Sequence, residues 1–298
     1  MKKISICVTT YNQADTVRDT LEGILLQRLD IPYEIVISDD CSQDNSRAVI
    51  AEYKSRYPGV FRDVSPTRNL GSPGNTFHVL AAAEGDYIAV CQGDDYWTDP
   101  DKLKKQVDFL ASHPDYSMCF HRARVRNDEG LPSVAVCDQV AADREYTSDE
   151  IYSSWIIQTA TIVFRRDVLR RISRLKRPQD IWYDDIPVFL ACADTGRVWG
   201  MSSVMSVYRI SSKGLTHTPS FNANRYVRAI AHDRCLRHNF PKLSRRLTGR
   251  VISPYCYTLA RTSSGVWDKI RYAVMSLYYS PSYIFGKIWV KLKRIKME

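Results

Sequence analysis

The sequence predicts an α/β protein: a mixed, mainly parallel sheet flanked by helices, followed by a helical C-terminal appendage. Three observations carry this. Short, β-branched apolar runs alternate with stretches of helical periodicity. Polar clusters rich in Asp, Thr and Asn directly follow three of those runs. Composition then changes near residue 220, where the chain turns strongly basic and aromatic.

The elements follow in order. Residues 4–8 (ISICV) and 34–38 (EIVIS) read as buried parallel strands. Between them Val17, Leu21, Ile24 and Leu25 recur at helical spacing after Asp15, an expected N-cap. Residues 45–57 fit a second helix, capped by Asp44 and facing Ile50 and Tyr53 inward. The spacing then predicts a strand at 60–64, a Pro/Gly loop at 65–74, a helix at 75–84 and a strand at 87–91. Asp99-Pro100 opens a helix whose inner face is Leu103, Val107 and Leu110, with proline in its first turn. A strand at 118–120 is followed by a polar loop over 128–150. Further on come a strand at 160–164, a helix from about Asp185, and a hairpin through 197–210. Alternating β and α elements with short loops imply a parallel sheet with helices on both faces.

Charge separates two regions, 1–220 and 221–298. The first carries 26 Lys+Arg and 30 Asp+Glu; the second carries 16 Lys+Arg and three acids, so it alone supplies the excess of +9. A basic tail on a mildly acidic body points to an anionic surface for the tail only. No nucleic-acid module accompanies it, so nucleic acid is not the expected partner. The eight cysteines form no CxxC pair and several sit in apolar runs, as reduced, buried thiols do. The N-terminal segment is too short and polar for a signal peptide, and the tyrosine-rich run before Lys287 is broken by Pro281 and Gly286. The expected location is cytoplasmic.

Ligands of open parallel sheets bind at the carboxyl ends of strands. Thr9, Thr10, Tyr11 and Asn12 fall there, as do Asp39-Asp40 and Asp94-Asp95. Adjacent carboxylates repel unless a cation or solvent compensates, and hard oxygens favour Mg²⁺ or Mn²⁺ beside phosphate. A solvated turn explains Asp94-Asp95 as well, and an Asx turn explains Asp39-Asp40. Asp184-Asp185 precedes a helix, where an acid either caps the helix or accepts a proton. No GxGxxG, GxxxxGK[ST] or GxSxG occurs, and the histidines lack metal-ligand spacing.

Together the segments CVTTYNQADTVRDTLEGILLQ, EIVISDDCSQDNS, NLGSPGN, GDYIAVCQGDDYWTDPDKLKKQVDFL and VMSVYR resemble the inverting family 2 glycosyltransferases of GT-A, Rossmann-like fold. The resemblance covers roughly residues 4–215. It implies that Thr9, Thr10 and Tyr11, with Asn12, cradle a nucleoside and that Asp39 contacts its base. Asn75 would stand in the donor-side loop, Asp94 and Asp95 would hold ribose and a Mn²⁺ or Mg²⁺ ion, and Asp185 would be the general base, with Asp184 the alternative. The implied donor is a nucleotide-sugar, a UDP-sugar first among them. The implied acceptor is a glycan or lipid-linked hydroxyl, in cell-surface polysaccharide synthesis. Two departures stand out: Gln92 occupies the first acidic position of the usual Asp-x-Asp motif, and Ser211 stands where a histidine often follows the YR segment, with His217 a possible substitute. A nucleotidyltransferase or a non-catalytic nucleotide-sugar-binding module remains the alternative. The tail, ending SLYYSPSYIFGKIWVKLKRIK, suits peripheral attachment to the inner face of a membrane.

Overall fold

The computed structural model describes residues 3–127, 129–130, 139–212 and 223–286. Its contacts divide the chain into two units: one runs to Arg174 and resumes at Tyr183, the other combines Leu175–Trp182 with the C-terminal helices. The expected boundary at 220, and His217, lie outside the described residues.

In the first unit the order is β1 (Ile4–Thr10), α1 (Val17–Leu25), β2 (Tyr33–Asp39), α2 (Ser46–Arg56), β3 (Phe61–Asp63), α3 (Gly71–Ala82) and β4 (Tyr87–Gln92). Then follow β5 (Tyr96–Trp97), α4 (Lys102–Ser112), β6 (Tyr116–Arg126), β7 (Arg144–Glu145), α5 (Ser148–Ser154), β8 (Val163–Arg165), α6 (Asp167–Ile172), α7 (Asp185–Thr195) and β9 (Arg197–Arg209). Among the described residues one sheet runs β3-β2-β1-β4-β8-β6-β9-β5, with β7 added on β9. β3, β2, β1 and β4 are parallel, β8 is antiparallel to both its neighbours, and β6 and β9 are parallel. The expected mixed, mainly parallel sheet is present.

Period-two alternation explains the two covered faces. Ile4, Ile6 and Val8 join Ile35, Ile37, Ala89 and Cys91 in a core that packs on α1, α2 and α4 through Leu21, Ile24, Ile50, Tyr53, Leu103 and Val107. On the opposite face Cys7 meets the Val79 carbonyl of α3. The strand order reverses between β1 and β4, the switch point at which such sheets bind ligands. Register aligns the strand ends there: Thr10 lies beside Asp39, and Thr9 beside Gln92.

Several local expectations fail for identifiable reasons. Asp15 does not cap α1. The cap position is Thr16, whose hydroxyl instead donates to the Gly93 carbonyl at 2.7 Å. Asp44 lies one residue before the Asn45 cap of α2, and its carboxylate accepts from the amides of Ser46 and, across the loops, Ala14. Asp99-Pro100 likewise stops short of α4, whose cap is Asp101. Residues 71–74 are helix rather than loop, because Pro73 falls in the first turn of α3, where its missing N–H is no loss. The hairpin through 197–210 is instead one unbroken strand, β9. Gly200 serves packing there: a Cβ would lie 2.4 Å from Tyr146 and 2.7 Å from Phe120.

One core group is unusual. Lys102 is fully buried, its ammonium 3.7 Å from the centre of the Trp97 ring and without a hydrogen-bond partner. Burial pulls its pKa down to about 7. The seven described cysteines are unpaired, and burial pushes those at 7, 91, 119 and 192 upward, away from reactive thiolate.

The second unit contains α8 (Ala223–Asn239), α9 (Arg245–Thr262) and α10 (Val266–Tyr279). Ser244 caps α9 by accepting from the Leu247 amide. Ile230, Ile252, Cys256 and Leu259 form its core, against which Tyr272, Met275 and Tyr279 of α10 pack. Leu175–Trp182 is bound here by side-chain bonds: Asn239 bonds the Lys176 backbone in both directions, and the Trp182 amide donates to His232 Nδ1. Arg225 and Arg228 lie over the Trp182 ring. The opposite side of α10 is exposed and apolar, with Trp267 at 83%, and Ile270, Val274, Leu277 and Tyr278 along the same stripe. Among the described residues no helix is long and apolar enough to cross a membrane.

Candidate active site

Three loops meet at the switch point and are bonded to one another. The loop after β1 turns through Asn12, at φ 53°, a left-handed conformation asparagine tolerates. Its amide donates to Ser42 Oγ, and its side-chain oxygen accepts from the Gln43 amide, so the loops after β1 and β2 are stitched together. Gly93, after β4, fits against the first loop: a Cβ there would meet Gln13 at 2.6 Å and Thr10 at 3.0 Å. Tyr11 is largely exposed beside them, Thr9 is partly buried, and the Thr10 hydroxyl is buried without a hydrogen-bond partner.

Asp39 is buried, with Oδ1 accepting from the Ser42 amide and Arg47 Nε, and Oδ2 from the Ser42 hydroxyl. A cavity of about 460 Å³ lies beside it, lined also by Cys41, Arg47 and Lys54. Asp40 does separate work: its carboxylate accepts from the Leu70 amide and its carbonyl from Asn69, anchoring the turn that leads into α3. Asn75, expected in a donor-side loop, is not in a loop. It is buried within α3 and exchanges two hydrogen bonds with Ser38 of β2, so both ends of its amide are committed to holding helix on sheet.

The paired acids after β4 differ sharply. Asp95 is wholly buried, contrary to the expected solvent-facing turn. Its Oδ2 accepts from Gln158 Nε2 at 2.5 Å and its Oδ1 from the Arg209 amide at 3.0 Å. Burial, and then the Asp94 charge, raise its pKa well above the carboxylate range. Each oxygen thus accepts one hydrogen bond from a distant segment, which fixes the orientation of the carboxylate within the turn. Asp94 is half-buried, and its pKa is also raised by burial, against the opposing influence of Arg209 and Gln13. The Arg209 guanidinium donates to the Asp94 carbonyl at 3.2 Å, pairs with Asp19 and lies 4.4 Å from the Tyr96 ring centre.

Asp184 and Asp185 are likewise unequal. Asp184 accepts from Ser72 and Thr76 hydroxyls, fastening the start of α7 to α3. Asp185 is half-buried; Oδ1 accepts from the Ile186 amide and Oδ2 from Trp155 Nε1 at 3.3 Å. Burial and the neighbouring Asp184 charge raise its pKa to about 6. A carboxylate so poised is still largely ionised at neutral pH yet basic enough to take a proton.

Trp155 and Gln158 therefore touch the two acid pairs from one short segment. Three residues extend at most about 10 Å, which bounds the distance between their α-carbons. Sequence reasoning missed both residues, together with Gln13 and the role of Arg209. Only Arg209 carried a signal, as the end of the VMSVYR segment.

The same geometry tests a divalent cation. Among the described residues no three His, Cys, Asp or Glu side chains cluster to hold one. A hard cation shared between one carboxylate, water and the phosphates of a ligand does not require such a cluster. The Asp94 carboxylate beside the switch point fits that use.

Known proteins resemble this chain in sequence and in fold. The model of glycosyl transferase family 2 matches residues 5–173. An uncharacterized protein of Mycobacterium bovis is 34% identical over 238 residues, 77% of this chain and 65% of the relative. This chain thus spans just under two thirds of that relative's length. Among solved structures, residues 1–349 of S. aureus TarS, crystallised with UDP, superpose with a TM-score of 0.64 at 18% identity, over 94% of this chain and 81% of that one. The mannosyltransferase PcManGT of Pyrobaculum calidifontis, in complex with GDP-Man and Mn²⁺, gives 0.57 at 17% identity, over 93% and 85%. At these identities the two structures speak for the fold, which is of the GT-A type.

Proposed function

The chain belongs to glycosyl transferase family 2, and from that premise we propose that it transfers a sugar from a UDP-sugar to a hydroxyl of a glycan or lipid-linked acceptor, with inversion. One observation carries the reading: Asp185 and the Asp94-Asp95 turn are reached from a single segment, Trp155 to Gln158, at the switch point of the sheet. Thr9, Thr10, Tyr11 and Asn12 receive the nucleoside, and Asp39 contacts its base. Asp94 would hold a Mn²⁺ or Mg²⁺ ion, which when bound neutralises the diphosphate as charge develops on it. Asp185 takes the proton of the acceptor hydroxyl. That oxygen attacks the anomeric carbon, the bond from this carbon to the diphosphate oxygen breaks, and the nucleoside diphosphate leaves. A single displacement inverts the configuration. Arg209 and Gln158 keep the acids after β4 in place by holding Asp95.

The testing experiment is thermal shift of the purified protein with UDP, GDP and their sugar conjugates, with and without Mn²⁺. UDP with Mn²⁺ is expected to raise Tm, corresponding to about 2.7 kcal/mol at a hundredfold excess over Kd. Stabilisation by GDP alone, or by UDP equally well in EDTA, contradicts the donor or the metal assignment respectively.

The second unit supports a membrane partner. α10 is apolar on both sides: Tyr272, Met275 and Tyr279 meet the small core, while Trp267, Ile270, Val274, Leu277 and Tyr278 stay exposed. A helix with apolar stripes on two opposite sides is normally covered on both. Exposed Lys269 and Arg271 on the same helix, in a basic region, suit an anionic leaflet, with tryptophan and tyrosine at headgroup level. The protein is expected to sediment with anionic vesicles but not with phosphatidylcholine alone, and Trp267→Glu/Ile270→Glu to lose most of that binding. Undiminished sedimentation of the double variant, or its conversion from dimer to monomer in gel filtration, would reassign the face.

A further inference from the structure

Trp155 has an arrangement that folding alone does not favour. It ends α5 at φ 34°, ψ 40°, the left-handed position where helices ordinarily place glycine. A bulky aromatic residue there is a backbone outlier, of the kind concentrated at functional sites. Nor does core packing account for it, because the side chain is 39% exposed. What holds it is the site: its indole N–H donates to Asp185 Oδ2. Tyr183, two residues before Asp185, places its ring 6.3 Å away at an interplanar angle of 57°. The indole of Trp155 thus touches the Asp185 carboxylate, and the Tyr183 ring stands inclined beside that indole.

Whatever contacts this carboxylate from solvent during transfer carries the attacking hydroxyl. A pyranose ring complements such surroundings: its axial C–H bonds form an apolar face for an indole or phenol ring, while its equatorial hydroxyls point sideways toward hydrogen-bonding groups. An acyclic polyol phosphate lacks the flat face and would bring a further negative charge to Asp184 and Asp185.

We propose that Trp155 and Tyr183 form the acceptor subsite, and that it takes the pyranose ring of a glycan rather than a polyol phosphate. The proposal rests on Asp185 being the base and names the substrate class of that same site. Trp155 is thereby a specificity-determining residue whose ring supports the acceptor, and its conformation is retained for binding rather than for stability.

The test is saturation-transfer NMR on the full chain with UDP and Mn²⁺, using methyl glucopyranosides, methyl galactopyranosides and methyl N-acetylglucosaminides, with ribitol 5-phosphate as the contrasting probe. Trp155→Phe keeps an aromatic face. Trp155→Gly removes it but suits the left-handed backbone, so the variant does not add strain to the fold. The expected result is signal on the ring protons of at least one pyranoside, retained in Trp155→Phe and weakened about tenfold in Trp155→Gly, the scale of one aromatic contact. Ribitol 5-phosphate should give none. Undiminished pyranoside signal in Trp155→Gly, or binding of ribitol 5-phosphate in place of pyranosides, overturns the proposal. Thermal shift by UDP is read in parallel and should be the same in all three proteins. Retained UDP binding with an unaffected pyranoside signal removes the acceptor subsite alone; unmutated protein indifferent to UDP removes the donor reading and this proposal with it.

Discussion

Asp185→Asn is expected to lower kcat by roughly 10²–10⁴ while leaving donor affinity nearly unchanged, the range for loss of a general base. The amide keeps the shape of the side chain and an oxygen that can accept from the Ile186 amide or Trp155, so the start of α7 should stay in place. What disappears is proton acceptance. The pH profile supplies an independent check. With its pKa raised to about 6 by burial and by Asp184, the carboxylate is protonated and inactive at lower pH. The rate of the unmutated enzyme should therefore fall as pH drops through about 6, and the residual rate of Asp185→Asn should lack that limb. If Asp184→Asn instead removes the limb, the roles are reversed. The geometry argues otherwise, since both Asp184 oxygens accept from hydroxyls of α3.

Asp94→Asn is expected to lower metal-dependent turnover by about 10³ or more, since charge stabilisation by a bound cation is worth several kcal/mol. Tm without ligand should change little or rise, because burial already disfavours a charge at this position. The stabilisation by UDP that depends on Mn²⁺ should disappear. Asp95→Asn contrasts usefully with it. An amide can accept from Gln158 or from the Arg209 amide through one oxygen only, so one buried donor is left unsatisfied, and a loss of about 1–3 kcal/mol in stability is expected. Full activity of Asp94→Asn in the presence of EDTA would exclude a cation at this turn.

The parts of the fold readable beforehand were those with a period. Ile4, Ile6 and Val8, and their counterparts in β2 and β4, are long apolar runs, and the polar residues ending them had to lie together once the strands paired in register. Residues 4–10, 33–39 and 87–92 therefore placed the strand ends that meet at the switch point. Glycine and proline misled in α3, because Pro73 has a first-turn use as well as a turn-making one. Asp94 and Asp95 look alike as letters. Their difference comes from Gln158 and the Arg209 backbone, 63 and 114 residues away. Trp155 and Gln158 sit in an irregular stretch that has no periodicity to read, and their importance is visible only through their partners. The same is true of Asn75, which is distinguished from a loop asparagine only by its bonds to Ser38.

The path of the chain through Leu175–Trp182 limits how this protein can be divided. The backbone leaves the sheet-bearing unit after Arg174, gives eight residues to the helical unit, and returns at Tyr183. The two units are thus joined by three crossings rather than one, and no single cut yields two complete pieces. A truncation near residue 220 would strand Leu175–Trp182: Trp182 would lose His232, Arg225 and Arg228, and Lys176 would lose Asn239. The freed segment leads within three residues from Trp182 to Asp185. A shortened protein could therefore be inactive with every residue of the sheet intact, and the role of the helical unit is better examined by point substitution than by deletion.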